Sequence, residues 1–207
     1  SGSAAKSFPQ DPSQENAATI YRSNNQTTGM EYTWSFWVKV KEPVPSGKIY
    51  SHVFSKGLTN AISADSGQVV AGSNAPGVYL KNNTVSGNTT TTMTIVMDTV
   101  NGDDSETIDI PNIPFNKWVH VAIRLQNKIL DVYINGMLKQ RVSFKNVPKQ
   151  NYGDVFASQN GGFDGQLSNL RYFDRALNAF QISNIAMTGP NLKPVPDVVD
   201  TSSDYLS

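Results

Sequence analysis

Alternation of hydrophobic and polar residues is clearest over residues 118–144. Every second residue from Val119 to Leu125 is aliphatic, which is the period-2 pattern of a β-strand with two different faces. A second alternating segment follows Asn127-Lys128, and a third follows Asn135-Gly136. Asn-Gly is a strong hairpin signal because a type I′ turn requires positive φ at both central residues. The stretch is therefore predicted to form three consecutive antiparallel strands.

Further period-2 segments lie on both sides of this stretch. The most regular is 31–40, in which aromatic and aliphatic residues occupy every second position. Pro111 and Pro114 are predicted to end a neighbouring strand, and residues 82–91 are predicted to form a polar loop. The additional predicted strands are 19–22, 31–40, 49–55, 77–81, 92–100, 106–110, 154–157 and 165–173.

One short helix is predicted near the end of the chain. Asn178 is a good N-cap and Gln181 lies at N3, which is a close variant of the capping box. Leu177 and Ile182 occupy the hydrophobic-staple positions on either side of this cap. Gly189-Pro190 is expected to end the helix.

About ten short strands with one late helix indicate an all-β fold with two antiparallel sheets rather than βαβ units. One domain is predicted over residues 17–188. Residues 1–16 are expected to be a flexible N-terminal segment that begins with a cloning remnant, Ser-Gly-Ser-Ala-Ala. Residues 189–207 contain Pro194 and Pro196 and are interpreted as a linker or tail that leads to neighbouring domains of a longer chain.

Composition narrows the possible partners. The 17 basic residues balance the 17 acidic residues, which argues against nucleic acid because phosphate binding favours a basic surplus. No apolar run approaches the ~18 residues of a membrane span, so no membrane insertion is expected in this segment. The chain has no cysteine, which excludes disulfides, thiolate zinc sites and cysteine nucleophiles.

Five segments in order resemble the LamG-like domains of the concanavalin A-like lectin/glucanase superfamily. They are Tyr-Thr-Trp-Ser-Phe-Trp-Val at 32–38, Phe-Ser-Lys-Gly at 54–57, Trp-Val-His-Val-Ala at 118–122, Leu-Asp-Val-Tyr-Ile-Asn-Gly at 130–136, and 163–177 with Phe-Asp-Gly and Arg-Ala-Leu. Asn-Tyr-Gly-Asp at 151–154 and Asn-Gly-Gly-Phe at 160–163 also resemble such domains encoded by large DNA viruses of algae.

The resemblance implies a two-sheet antiparallel jelly-roll β-sandwich with one short C-terminal helix. The family covers many functions. Sparse catalytic groups and an aromatic, polar second strand face favour a non-catalytic binding module of a larger protein, with a glycan or glycoprotein as partner. A structural or protein-interaction module of a virion or adhesive assembly is the alternative, and a glycoside hydrolase is a remote one. An extracellular or virion-associated location is favoured.

Catalytic groups are sparse. Glycanases that this chain resembles carry a Glu-x-Asp-x-Glu strand, and none of the four glutamates begins such a motif. Asp104 and Glu106 could share a face but flank a turn, where a solvated hairpin is the simpler interpretation. His52 and His120 lack a nucleophile-elbow motif. We therefore expect no enzyme activity.

The candidate glycan-binding surface is the non-core face of the strands. If Ile123, Val132, Ile134, Met93 and Ile95 face the core, aromatic and polar residues share the opposite side. An aromatic ring can stack on a sugar while fixed polar groups bond its hydroxyls. The same residues could instead be covered by loops or by the helix. The candidates are Trp37, His120, Arg124, Asp131 and Tyr133, with Trp118, Lys39, Thr94 and Asp98 on the same predicted face, and the loop aromatics Tyr152 and Phe163 as alternative contacts.

Two well-separated histidines and the lack of cysteine argue against a transition-metal site, whereas calcium needs only oxygen ligands and is compatible with the residues. Asp164 in the Gly-Gly-Phe-Asp-Gly turn is the first candidate, with Asp65 and Asp154 on loops as weaker ones. The alternative is that each aspartate stabilises its own turn. Domains of this kind often carry an aspartate where this chain has Ser168, and that departure weakens the expectation.

Overall fold

The computed structural model describes residues 6–7, 18–19, 30–57, 60–100, 105–151 and 153–193. Its elements in chain order are β1 (Lys6–Ser7), β2 (Ala18–Thr19), β3 (Glu31–Val40), β4 (Ser51–Gly57), β5 (Gly77–Val85), β6 (Asn88–Met97), β7 (Glu106–Ile113), β8 (Trp118–Gln126), β9 (Ile129–Ile134), β10 (Met137–Ser143), β11 (Asp154–Ala157), β12 (Gly165–Phe173) and α1 (Ala179–Met187). A single turn of 3₁₀-helix, Gln159–Gly161, joins β11 to the loop before β12.

The strands form two stacked antiparallel sheets. Sheet I has the order β1-β12-β3-β8-β9-β10, and sheet II has the order β2-β11-β4-β5-β6-β7. Strands that are distant in sequence, such as β12 and β3, pair in the middle of a sheet. The predicted two-sheet jelly-roll sandwich is confirmed.

The predicted meander forms the β8-β9-β10 side of sheet I. Asn127 has φ 57°, while Asn135 and Gly136 have φ 51° and 82°, so both tight connections use the left-handed backbone that their residues favour. Val121 pairs with Ile134 and Leu125 with Leu130 across the first hairpin. The Asn-Gly hairpin links adjacent strands, as predicted.

The main core lies between the two sheets. Alternate residues of β3, beginning with Tyr32 and Trp34, point into it, and Trp34 is fully buried against the Phe54 ring at 5.1 Å between centroids. The five residues predicted to face the core all contribute, with Ile134 packed at its margin. Burial of such large aromatic and aliphatic side chains provides most of the stability.

Two predictions about strand ends were wrong. Residues 82–91 form the ends of β5 and β6 around a Ser86-Gly87 turn, rather than a loop. Pro111 lies inside β7 rather than at its end. This is possible because β7 is the edge strand of sheet II and Pro111 lies at a register shift between Ile110 and Ile113, where it has no paired residue on β6.

The capping box at the start of α1 is confirmed. Asn178 Oδ1 accepts from the Gln181 N–H at 2.8 Å, and Gln181 Oε1 accepts from the Asn178 N–H at 2.9 Å. The staple residues Leu177 and Ile182 are buried together beneath the helix, on the outer face of sheet I. Within the part of the chain that the structure describes, no helix has the length and apolar character needed to span a bilayer.

Candidate binding sites

Sheet I brings the five strand residues that were predicted to bind a ligand onto its outer face. Trp37 on β3 pairs with His120 on β8, and Arg124 on β8 pairs with Asp131 on β9. Tyr133 follows two residues after Asp131 and points to the same side. The other residue predicted to bind, Tyr152, lies outside the described residues, and Phe163 packs against the main core.

Thr94 and Asp98 were wrongly placed on this surface. Both lie at or beside β6 in sheet II, so they face away from sheet I. Thr94 Oγ1 donates to Asp109 Oδ1 at 2.7 Å, and Asp98 Oδ2 accepts from the Asn74 N–H at 2.8 Å. The period-2 pattern assigned the correct face of each strand but could not assign the strand to a sheet.

Part of the outer face of sheet I is covered by the C-terminal segment. Asp131 is fully buried and accepts from Arg141 at 2.7 and 2.9 Å, with Arg124 at 3.4 Å. Arg124 Nε donates to the Leu177 carbonyl at 2.7 Å. Arg124 on β8 therefore links the chain before α1, through the Leu177 carbonyl, to Asp131 on β9.

Tyr133 is buried in the same contact. Its ring packs with Leu177 and Ile182 in a small cluster between α1 and the sheet. A ligand can reach Tyr133 only if α1 moves away. Asp131 is fully buried and held by Arg124 and Arg141, while the Arg124 side chain is 17% exposed. Their role in ligand binding stays a prediction.

The neighbouring part of this face holds a polar cluster around His120. The His120 and Trp37 rings are 5.1 Å apart between centroids, and His120 Nε2 lies 2.8 Å from Ser35 Oγ. Arg171 on β12 pairs with Ser35 from the other side. Burial, with a smaller contribution from the Arg171 charge, lowers the pKa of His120 to about 4.

His52 forms a second buried His–Ser contact in sheet II. Its Nδ1 accepts from the Gln159 N–H at 2.9 Å, so Nε2 carries the proton and donates to Ser55 Oγ at 2.8 Å. A catalytic triad needs the opposite polarity, in which the histidine accepts from serine and an acid holds Nδ1–H. Burial lowers the pKa of His52 to about 3. His52 therefore anchors the 159–162 loop.

A cavity of about 70 Å³ lies above His52, where three loops meet at the rim of sheet II. We call it the rim cavity; Lys48, Tyr50, His52, Ser63, Gln159 and Asn160 are among the residues that line it. The partly exposed Tyr50 ring is held edge-on by Tyr79, with 6.0 Å between centroids.

The loops around the rim cavity are fastened by side chains. Lys48 Nζ donates to the Ala64 and Asp65 carbonyls, and Asn160 Nδ2 donates to the Ile62 carbonyl at 2.8 Å. Ser158 and Asn160 have φ 53° and 51°, a left-handed conformation that is uncommon for residues other than glycine. Such strained positions cluster at functional sites. Nothing in the hydrophobic pattern marks Tyr50 or Asn160, because their position depends on loop packing.

The three calcium candidates differ in exposure. Asp164 and Asp65 are exposed, Asp154 is partly buried on β11, and the Asp164 carbonyl accepts from the Lys41 N–H at 2.8 Å. Among the described residues, no three histidine, aspartate or glutamate side chains are grouped so that they could hold a metal ion. Calcium binding at Asp164 stays a prediction.

The acidic pair Asp104 and Glu106 is only partly described. Glu106 Oε1 accepts from the Lys145 N–H at 3.3 Å, and Asp104 lies outside the described residues.

Comparison with known proteins agrees with this architecture. A family model described as the concanavalin A-like lectin/glucanases superfamily matches residues 12–183. No curated protein sequence matches the chain.

Similar solved structures include binding domains of botulinum neurotoxins. The binding domain of botulinum neurotoxin DC in complex with SialylT has a TM-score of 0.58 and 14% identity, over 83% of this chain and 38% of that one. The serotype D ligand-binding domain in complex with N-acetylneuraminic acid has a TM-score of 0.54 and 16% identity, over 84% and 38%. The DC binding domain in complex with rat synaptotagmin II has a TM-score of 0.55 and 14% identity, over 77% and 36%. The chain thus spans less than two fifths of each of these structures, and the likeness concerns the fold.

Proposed function

We propose that this chain, which belongs to the concanavalin A-like lectin/glucanase superfamily, is a non-catalytic module that binds glycans in the rim cavity. The proposal depends mainly on one observation, the partly exposed Tyr50 ring beside the polar side chains of Ser63 and Asn160. A tyrosine ring offers an apolar face to the C–H side of a sugar, while nearby hydroxyl and amide groups bond its oxygens. Such contacts commonly lie on loops held by a rigid scaffold.

The size of the cavity indicates shallow recognition. A volume of about 70 Å³ is well below the ~300 Å³ of a pocket that encloses a drug-sized ligand. The cavity therefore suits one terminal sugar residue of a longer chain. A single site of this kind is expected to bind weakly, and several copies on one assembly would raise the avidity.

The solved relatives support a binding role. They are ligand-binding or binding domains, one in complex with N-acetylneuraminic acid and one in complex with rat synaptotagmin II. The direction of the His52–Ser55 hydrogen bond, in which the histidine donates to the serine, also favours a non-catalytic role.

We further propose an extracellular or virion-associated location, in line with binding of a glycan or glycoprotein. We also propose calcium at Asp164 as an accessory ion.

A glycan array read with the wild type and three variants tests the proposal. Tyr50→Ala is expected to weaken binding about tenfold, since an aromatic contact contributes about 0.5–1.5 kcal/mol beyond the apolar area that the ring buries. Tyr50→Phe keeps the ring and should retain most of the binding. Phe180→Ala removes a 74% exposed ring from α1 and serves as the control. Wild-type protein that binds no glycan, or binding that survives Tyr50→Ala in a folded variant, contradicts the proposal.

A second candidate function is a protein-interaction module. Apolar side chains on α1 and the adjacent strand β10 are exposed, namely Met137 at 75%, Phe180 at 74% and Met187 at 81%. Exposed apolar groups of this size are typical of contact surfaces. If the wild type binds no glycan but self-associates in sedimentation, and Phe180→Ala with Met187→Ala abolishes the association, this second function is supported.

A further inference from the structure

Within the described part of the chain, three buried side-chain nitrogens on the outer face of sheet I have no hydrogen-bond partner. They are Trp37 Nε1, His120 Nδ1 and Arg171 Nε, from the adjacent strands β3, β8 and β12. Buried polar atoms are nearly always paired, so three orphans on neighbouring strands require an explanation. We propose that Trp37, His120 and Arg171 form a binding site for a carboxylate group.

The strand register brings the three side chains to one place. Trp37 pairs with His120, with 5.1 Å between ring centroids. Ser35, two residues before Trp37 and on the same face, pairs with Arg171 on β12. Ser35 Oγ also lies 2.8 Å from His120 Nε2. Ser35 thus stands between the guanidinium and the imidazole and fixes the ring whose Nδ1 is free.

The unpaired atoms can all act as donors. The indole N–H and the guanidinium Nε–H can only donate. His120 Nδ1 also donates if the Ser35 hydroxyl donates to Nε2, and the contact at Ser35 permits that tautomer. Three donors without an acceptor match a group that only accepts, and a carboxylate offers two oxygens with about four lone-pair positions. Each unpaired buried donor costs about 1–3 kcal/mol, which such a ligand would recover in part.

The local charge also favours an anion. No carboxylate among the described residues forms a salt bridge with Arg171, whereas Asp131 on the same face is neutralised by Arg124 and Arg141. Burial lowers the pKa of Arg171, as expected for a guanidinium that has lost solvent without gaining an anionic neighbour. Hydrogen bonds from a charged donor to a carboxylate are stronger than those to a neutral hydroxyl.

Access to this site is narrow. Trp37 is 8% exposed, while Arg171 is only partly buried, so the opening lies at Arg171. Ser168, which pairs with Trp37, both donates to the Asn191 carbonyl and accepts from its N–H, at 2.9 and 3.0 Å. The chain after α1 therefore closes the side next to Trp37. This suits a planar carboxylate better than a whole sugar ring. The site lies on the opposite sheet from the rim cavity and stands independently of the function proposed there.

Nuclear magnetic resonance provides a direct test, because the indole N–H of Trp37 gives its own signal. In the wild-type protein, titration with sodium acetate at constant ionic strength is expected to move this signal downfield and to saturate. Acetamide, a neutral molecule of the same shape, should leave it in place. Trp37→Phe removes the signal and identifies it; backbone-based assignment of the wild type provides the same identification if that variant does not fold.

Two arginine variants separate this site from general surface charge. The guanidiniums of Arg171 and Arg175 both lie 5.9 Å from the centroid of the Phe173 ring, so Arg175→Gln is a matched control. Arg171→Gln should weaken acetate binding about tenfold or more, since a charge-assisted hydrogen bond contributes about 1.5–3 kcal/mol, and Arg175→Gln should not. A second titration with N-acetylneuraminic acid shows whether a sugar can carry the carboxylate; binding of acetate alone points to a free carboxylate. The absence of a saturable response to acetate, or an equal response to acetamide, overturns the proposal.

Discussion

Lys56 and Asn151 bond each other in both directions. The Lys56 ammonium donates to the Asn151 carbonyl at 2.9 Å and to its Oδ1 at 3.2 Å, while Asn151 Nδ2 donates to the Lys56 carbonyl at 2.9 Å. A third acceptor, the Gly153 carbonyl, lies 2.8 Å from the same ammonium. Lys56 is 7% exposed, so a buried cation is enclosed by uncharged oxygens and joins β4 to the segment before β11.

Replacement of Lys56 by methionine is expected to lower the free energy of unfolding by about 2–3 kcal/mol. The apolar chain would remain packed, but the partly buried Asn151 and Gly153 carbonyls would lose their donor. Burial lowers the pKa of Lys56 and the nearby Asp154 charge opposes that effect, so some of the loss is offset by relief of the desolvated charge. Urea denaturation measures the difference. Lys128→Met, at an exposed lysine that bonds the Lys145 carbonyl, should change stability by less than about 0.5 kcal/mol. Equal losses for the two variants would contradict the structural role of Lys56.

The segment Phe-Ser-Lys-Gly at 54–57 could be identified from the sequence as a family motif. The contacts that require a lysine and a glycine there could not be predicted. Gly57 lies so close to the loop before β5 that an added Cβ would meet the Ser73 carbonyl oxygen at 2.3 Å. A Cβ added at Gly153 would likewise collide with the Gly57 carbonyl oxygen. These contacts join segments that are far apart in the chain, and alternation along a single strand carries no information about them.

Strands whose faces differ in polarity could be predicted, and strands without that contrast could not. The β8-β9-β10 meander has one apolar face and two turn signals. By contrast, the ends of β5 and β6 consist of asparagine and threonine on both faces. They pair through the backbone ladder and contacts such as Thr84 Oγ1 to Thr89 Oγ1 at 3.0 Å. Their polar composition was therefore interpreted as a loop.

The candidate site was only partly predictable for a related reason. The alternation of residues along each strand predicted that Trp37, His120 and Tyr133 lie on the non-core face, and the structure places them there. Whether that face meets solvent depends on α1, which is reached only some 45 residues after Tyr133 and docks on the same sheet. The pattern did not assign Arg171 to this face, because a register shift between Ser168 and Arg171 in β12 interrupts the alternation.

The two buried histidines should make the protein less stable as the pH falls. Burial lowers the pKa of His52 to about 3 and that of His120 to about 4, whereas both titrate near 6.5 when unfolded. Their contribution is complete above about pH 6.5. Below that pH the unfolded chain binds more protons than the folded one, so the free energy of unfolding decreases until the folded pKa is passed. The slope is up to about 1.4 kcal/mol per pH unit for each histidine.

Urea denaturation at several values between about pH 7 and pH 4.5 measures this slope, because most carboxylates titrate below that range. His52→Asn keeps an acceptor near the position of Nδ1 but cannot be protonated. Its slope should be about half that of the wild type, whatever its stability at neutral pH. The histidine Cε1–H signals of the folded protein should not titrate near pH 6.5, and that of His120 should begin to shift only towards pH 4.5. A flat stability profile, or a histidine signal that titrates near pH 6.5, would refute the argument.

The docking of α1 on sheet I can be tested at Ile182, which is fully buried between the helix and Tyr133. Ile182→Ala should cost about 2–4 kcal/mol, because it removes three buried carbons from a contact that cannot close around the gap. Since α1 is held mainly by this cluster and by the Arg124–Leu177 bond, we expect the loss to appear first as local opening of the helix.

Hydrogen exchange distinguishes local opening from global unfolding. In Ile182→Ala, the amides of α1 should lose protection while those of β3 and β8 keep most of theirs. Phe180→Ala on the same helix removes a larger side chain that is 74% exposed, and should leave both sets of amides nearly unchanged. If Ile182→Ala lowers protection equally in α1 and β3, the helix is part of the cooperative core. The outer face of sheet I beneath α1 would then be closed to ligands except on complete unfolding.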